Sequence, residues 1–184
     1  VFEELLKRIA VELEGRKIPY MVIGGQAVLL YGEPRLTRDI DITLGLGPED
    51  AEKVISLAKA LRLSLLVPDP EAFLRKTLVL PTEEDASGIR VDFICSQTPY
   101  ERQAMERAEE VKLGEAFVRF AALEDVIIHK VIAKRPRDIE DIKAMIAKNP
   151  SYDGSYIRTW LREFDAALGE EFSSVFELIV KELG

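Results

Sequence analysis

Two hydrophobic periods run along this chain, one of about 3.6 residues and one of 2, and they divide it. Residues 2–14 place Phe2, Leu5, Leu6, Ile9, Val11 and Leu13 among charges, the apolar side of a helix that stops near Gly15. After the connector Lys17-Ile18-Pro19, Tyr20 to Ile23 reads as a buried strand and Gln26 to Tyr31 as a short helix broken by Gly32-Glu33-Pro34. Asp39-Ile40-Asp41-Ile42-Thr43-Leu44 alternates as a strand, and a turn with Pro48 opens a helix to about Leu61. Leu63 to Val67 predicts a short strand that Pro68-Asp69-Pro70 ends. Residues 72–80 read as another strand, with a short helix first as the alternative, and 81–88 as a polar turn. Ile89 to Cys95 is a strand, Tyr100 to Ala108 a helix, and 111–113 with 117–120 a hairpin about Gly114-Glu115. Near residue 121 the strands stop. Helices follow over 123–134, from about Asp138 to Asn149-Pro150, and twice more in the tail, with Trp160 and Phe164 read as core. The pattern predicts an α+β protein, a mixed β-sheet flanked by helices over 1–121 and a helical region over 122–184.

Side chains alternate faces along a strand, so Asp39, Asp41 and Thr43 share one face while Ile40, Ile42 and Leu44 share the other. The two carboxylates then stand about 7 Å apart at Cα, from a rise of roughly 3.3 Å per residue. Like charges that close keep one carboxyl protonated unless a cation sits between them. A divalent metal held by oxygen ligands answers the repulsion; a solvent-facing strand edge is the plain alternative. Gly24-Gly25, directly after a buried strand, lets backbone approach a ligand closely. The helix that follows aims its free N–H groups at the same spot. An anion cradle beside a metal-binding strand suits a nucleoside triphosphate with Mg2+ (or Mn2+).

Composition narrows the classes. With 47% hydrophobic and 32% charged residues, the 184-residue chain can bury one sizeable core or a main domain with a helical appendage. A net charge of −8 argues against wholesale coating of nucleic acid. The single cysteine, Cys95, excludes an internal disulfide framework and reads as a core residue. So low a cysteine content leads us to expect a cytoplasmic location; no stretch has the length of a membrane span and no signal peptide is visible.

Taken in order, Gly24-Gly25, Arg35-x-Thr37 and Asp39-x-Asp41 resemble the signature of the DNA polymerase beta-like nucleotidyltransferase superfamily. Within it, the likeness is to the abortive-infection-type nucleotidyltransferases, several of which are toxins of toxin–antitoxin pairs. That pattern wants a third carboxylate on a later strand, and Asp92 in Arg90-Val91-Asp92-Phe93-Ile94 supplies it. It also carries a helical Lys-x-x-Ala and then Arg-x-Arg-Asp-x-x-Asp, matched by Lys130, Ala133, Arg135, Arg137, Asp138 and Asp141. The resemblance spans about residues 18 to 142 and departs from the commoner Gly-Ser start, because Gln26 follows Gly25. It implies a nucleotidyltransferase domain over 1–121 and a metal site of Asp39, Asp41 and Asp92, with Asp92 also handling the acceptor's proton. Triphosphate contacts fall to Gly24, Gly25, Arg38, Lys130, Arg135 and Arg137. Implied partners are a nucleoside triphosphate, an acceptor hydroxyl on a transfer RNA, protein or small molecule, and an antitoxin protein.

The residues carry readings of their own. Lys130 shares the apolar stripe of its helix, four residues after Val126, and must snorkel out or meet an anion. Four basic residues between Lys130 and Arg137 gather at one helix–helix corner, a solvated charge run or a phosphate-facing patch that Asp138 and Asp141 hold in place. Asp92 in an otherwise buried strand needs a partner, a shared metal or a salt bridge. His129, without a second imidazole, reads as structural or surface. Two rival functions stay open: a non-catalytic nucleotide-binding or protein-interaction module with this fold, and a phosphohydrolase using the same metals.

Overall fold

A computed structural model describes residues 1–34 and 36–184. They make two compact units, Val1–Gln26 with Thr37–Ala121, and Ala27–Leu36 with Ala122–Gly184. The first unit carries seven strands: β1 (Tyr20–Ile23), β2 (Asp39–Leu44), β3 (Ser64–Leu65), β4 (Val79–Glu84), β5 (Ile89–Cys95), β6 (Glu109–Leu113) and β7 (Ala116–Phe120). They lie in one mixed sheet in the order β3-β4-β5-β2-β1-β7-β6, parallel at β2–β5 and β1–β7 and antiparallel elsewhere. Ile40, Ile42 and Leu44 of β2 pair with Val91, Phe93 and Cys95 of β5, and all six are at most 1% exposed. Burial pushes the Cys95 thiol up to about 11, with the charges of Glu49, Asp50 and Glu101 adding to it, so it stays a neutral core group.

Helix α1 (Phe2–Gly15) buries Leu5, Leu6, Ile9, Ala10 and Leu13 and packs on β7. Val11, expected on its apolar side, is 63% exposed, because two residues after Ile9 the helix has turned to its far face. A 3-10 turn at Pro48–Asp50 leads into α3 (Ala51–Ala60). Residues 72–77, read first as strand, are helical in α4 (Pro70–Thr77). The signal lay just upstream: the Asp69 carboxylate accepts from the Ala72 N–H at 3.1 Å, and Pro70 suits the first helical turn.

Leu78 ends α4 with φ +62°, and β4 then runs through Pro81 to Glu84, where a polar turn was expected. The Pro81 carbonyl accepts from the Leu66 N–H at 3.1 Å, so the proline nitrogen also faces the short β3 side. The missing N–H therefore costs no bond to β5. α5 (Pro99–Arg107) is closed by a reciprocal cap in which Thr98 Oγ accepts from the Glu101 N–H and the Glu101 carboxylate from the Thr98 N–H.

The second unit packs α6 (Leu123–Ala133), α7 (Pro136–Lys148), α8 (Gly154–Leu168) and α9 (Phe172–Leu183) with residues 27–36. The Asn149 amide donates to the Tyr31 carbonyl at 2.9 Å, and Lys148 Nζ to that of Gly32 at 3.0 Å. On α8 the buried residues are Ile157 and Leu161; Trp160 and Phe164, expected in the core, are half-buried on the adjoining stripe. α7 opens at Pro136, two residues ahead of the expected start, because proline's fixed φ suits the first helical position. Asp138 thereby falls three residues after Arg135. No helix among the described residues is long and apolar enough to cross a membrane.

The helical unit encloses an ion cluster. Lys130 Nζ lies 2.6 Å from Asp138 Oδ1 and 2.9 Å from Asp141 Oδ2, with all three side chains under 10% exposed. Burial raises the Asp138 carboxyl, but hydrogen bonds from Lys130 and Arg135 outweigh it and hold the group below its ordinary 3.8. Removing the cation takes the shared ammonium partner from two buried carboxylates, so Lys130→Met should cost about 3–5 kcal/mol in urea unfolding. Since the folded state depresses the Asp138 pKa, its contribution is whole above about pH 4 and lost as pH falls through the folded value. An acid titration of stability should show this slope below pH 4 in the wild type and a weaker one in Asp138→Asn.

Candidate active site

The parallel register of β2 and β5 sets Asp39 beside Arg90, Asp41 beside Asp92 and Thr43 beside Ile94. Register partners point to one face of a sheet, so the three acidic residues share a face opposite the apolar ladder. Adjacent strands are about 4.8 Å apart, which puts Asp41 and Asp92 within reach of one ligand. Asp39, first residue of its strand, is exposed, and Asp41 and Asp92 are half-buried. Asp39, Asp41 and Asp92 are thus brought to one patch of the sheet.

β1 supplies the next wall. It pairs antiparallel with β2, Ile23 against Asp41, and the chain turns at Gly24 straight into α2 (Gly24–Tyr31). The helix starts two residues earlier than the pattern of apolar positions predicts. Gly24 has φ +64°, and a Cβ built there would lie 2.1 Å from Asp41 Oδ2. Glycine is required twice over, by its backbone conformation and by the carboxylate in the space of its missing side chain. Gly25 is buried behind it. The first N–H groups of α2, which lack partners within the helix, therefore open beside Asp41.

Three more residues border this patch, of which the sequence pattern misses only Glu83. Gln26, where the superfamily more often has serine, donates from Nε2 to Thr37 Oγ1 at 2.6 Å, with both side chains buried. That bond ties the start of α2 to the segment entering β2. Arg90 Nε donates to Asp92 Oδ1 at 3.1 Å, the salt bridge weighed against a metal for Asp92. Glu83 on β4 is the register partner of Arg90, so a fourth carboxylate borders the same face. Its signal was hidden in residues 81–88, which read as turn.

Divalent cations take oxygen donors, and carboxylates on one face of adjacent strands are donors of that kind. The room at Gly24, filled by Asp41 Oδ2, is the observation that fits the patch to such an ion. Among the described residues, no three acidic, imidazole or thiol side chains are gathered to metal-binding distance as they stand. Asp92 is turned onto Arg90, whose side chain is 53% exposed and whose ion pair is correspondingly weak.

Arg38, next to Asp39, is exposed. The Arg35 step lies outside the described residues. Lys130, Arg135 and Arg137 belong to the second unit. Lys130 sits in the buried cluster above; Arg135, on the surface, donates from Nε to Asp138 Oδ2 at 2.7 Å, the bracing expected of Asp138. Arg137 is exposed and His129 half-buried.

A family model described as a nucleotidyltransferase of unknown function, DUF6036, matches residues 1–151. The chain belongs to this family. No curated protein matches the DUF6036 chain by sequence. Solved structures share its fold at low identity. The antibiotic-resistance factor ANT(2'')-Ia, 17% identical, matches over 91% of this chain and 94% of its own with a TM-score of 0.62. A nucleotidyltransferase-like antigenic protein from Paracoccidioides brasiliensis, 16% identical, matches over 91% and 88% with a TM-score of 0.56. The lincosamide antibiotic adenylyltransferase LnuA, solved with lincomycin, is 20% identical over 77% of this chain and 94% of its own, with a TM-score of 0.54. A chain of this family is a nucleotidyltransferase, as the resemblance implied, and its mixed sheet flanked by helices is the one the strand and helix pattern anticipated.

Gly24→Ala tests the wall of this site. A Cβ there must displace the Asp41 carboxylate and forces an L side chain into a left-handed conformation costing roughly 1–2 kcal/mol. The variant should melt lower by differential scanning fluorimetry and bind Mn2+ more weakly than wild type by electron paramagnetic resonance.

Proposed function

We propose that the protein transfers a nucleoside monophosphate from a nucleoside triphosphate to an acceptor hydroxyl, with Mg2+ or Mn2+ held by Asp39, Asp41 and Asp92. One observation carries the reading: Asp41 and Asp92 are register partners on adjacent parallel strands, with Gly24 backed against Asp41. Bound there, divalent ions supply charge neutralisation on the attacking and leaving oxygens of an in-line displacement at the α-phosphorus. The protein's own part is orientation. Gly24 and Gly25 offer backbone N–H groups to the β- and γ-phosphates, and the Gln26–Thr37 bond keeps that turn in place. Asp92, released from Arg90, accepts or orients the acceptor's proton.

On the strength of the superfamily resemblance Arg38, Arg135 and Arg137 are the proposed basic contacts to the triphosphate, whereas Lys130, which that resemblance also implied, is taken up by Asp138 and Asp141. Asp138 fixes the guanidinium of Arg135. For the acceptor, we favour a small-molecule hydroxyl. ANT(2'')-Ia has been solved with adenylyl-2''-tobramycin, and a chain of net charge −8 offers little to a polyanionic acceptor. A role as the toxin of a toxin–antitoxin pair remains part of the proposal through the abortive-infection likeness. Growth arrest on expression, relieved by a neighbouring gene's product, is its test.

Asp41→Asn should retain the wild-type circular dichroism spectrum and lose magnesium-dependent incorporation of labelled nucleotide by at least about 10²-fold. Unchanged activity would refute the site. Incubation with each radiolabelled triphosphate and cell extract identifies donor base and acceptor. Label carried by the acceptor with pyrophosphate released marks transfer, whereas free nucleoside monophosphate or inorganic phosphate with no labelled acceptor marks hydrolysis.

A further inference from the structure

Arg90 is placed where a cation has most to do. On the acidic face of the sheet its register partners are Asp39 on β2 and Glu83 on β4, and Asp92 stands two residues along its own strand. Arg90 thus has an acidic register neighbour on each side, and its guanidinium donates to Asp92 at 3.1 Å. Yet the Arg90 side chain is 53% exposed while that of Asp92 is 19% exposed. The arginine reaches in from solvent to a carboxylate that the sheet holds fast. A long side chain with a wet head can leave such a contact at small cost.

We propose that Arg90 is a tethered counter-cation of the active site, holding Asp92 while no divalent ion is bound and leaving it when one is. The inference rests on the metal-site reading above and adds a competition to it: guanidinium and metal ion claim the same carboxylate. In the metal-free protein Arg90 offsets the charge of Asp92 directly and, from its place in the register, lessens the repulsion between Asp92 and the neighbouring acidic residues. When an ion is taken up, Asp92 turns to share it with Asp39 and Asp41, and the guanidinium swings to solvent. Arg90 is thereby a positioning residue acting through Asp92. Metal affinity is set below what the three carboxylates alone would give.

The test measures Mn2+ affinity by electron paramagnetic resonance in wild type, Arg90→Met and Arg90→Gln at fixed ionic strength. It also follows the Arg90 Nε–H resonance by nitrogen-15 NMR during a Mg2+ titration. Both variants should bind Mn2+ about two- to fivefold more tightly, the return from releasing a half-exposed ion pair. Saturating Mg2+ should move the Nε–H signal to the position of a solvated guanidinium. Unchanged or weaker Mn2+ binding in the variants overturns the proposal, as does an Nε–H signal that ignores Mg2+. A wild type that binds no Mn2+ at all overturns the metal site itself, and the competition with it, which distinguishes the two failures.

Discussion

The parallel pairing of β2 with β5 is the constraint on which this protein depends. Its six-residue register sorts every side chain of both strands, apolar to one face and acidic to the other. A slip by one residue would set Asp92 beside Ile40 or Ile42 and bury a carboxylate against the core. The apolar ladder from Ile40–Val91 to Leu44–Cys95 fixes the register, so packing energy places the acidic residues. Parallel neighbours need a crossover between them, and here it is the stretch carrying α3, β3, α4 and β4. On the other flank, antiparallel β1 ends at the right level to turn Gly24 against Asp41.

Two basic side chains show how burial changes the meaning of similar contacts. Lys130 meets two carboxylates inside the helical unit, where each charge depends on the others and removing the ammonium takes a shared partner from both. Arg90 meets one carboxylate at the rim of the sheet, where solvent can take over as partner. The first contact is a strut; the second is a latch. Proximity in sequence to an acidic motif would not separate them, whereas depth does.

Much of this could be read from residue order. The alternation of Asp39 to Leu44 and Ile89 to Cys95 gave both strands and the face of each acid, because period 2 is unambiguous when one face is aliphatic. Helices α1, α6 and α7 followed from their stripes. What stayed hidden was set by local or long-range bonds that periodicity does not carry. The helix over 70–77 depends on the Asp69 cap, and the strand through Pro81 depends on which edge the proline nitrogen faces. The place of Glu83 beside Arg90 exists only through the β4–β5 pairing. Lys130 on an apolar stripe announced that it needed an anion, but not that its own chain provides two.

Neither unit is a continuous length of polypeptide. The chain leaves the first after Gln26, returns to it at Thr37 and departs again at Ala122, so residues 27–36 sit among helices drawn from the far end of the sequence. Val28 is wholly buried, and Tyr31 and Gly32 are held by Asn149 and Lys148. No single crossover within a gene could therefore trade one unit for another's. During synthesis the strand bearing Asp39 and Asp41 emerges long before the helices that receive residues 27–36, which obliges the nascent protein to keep that stretch in waiting until its last third has been made.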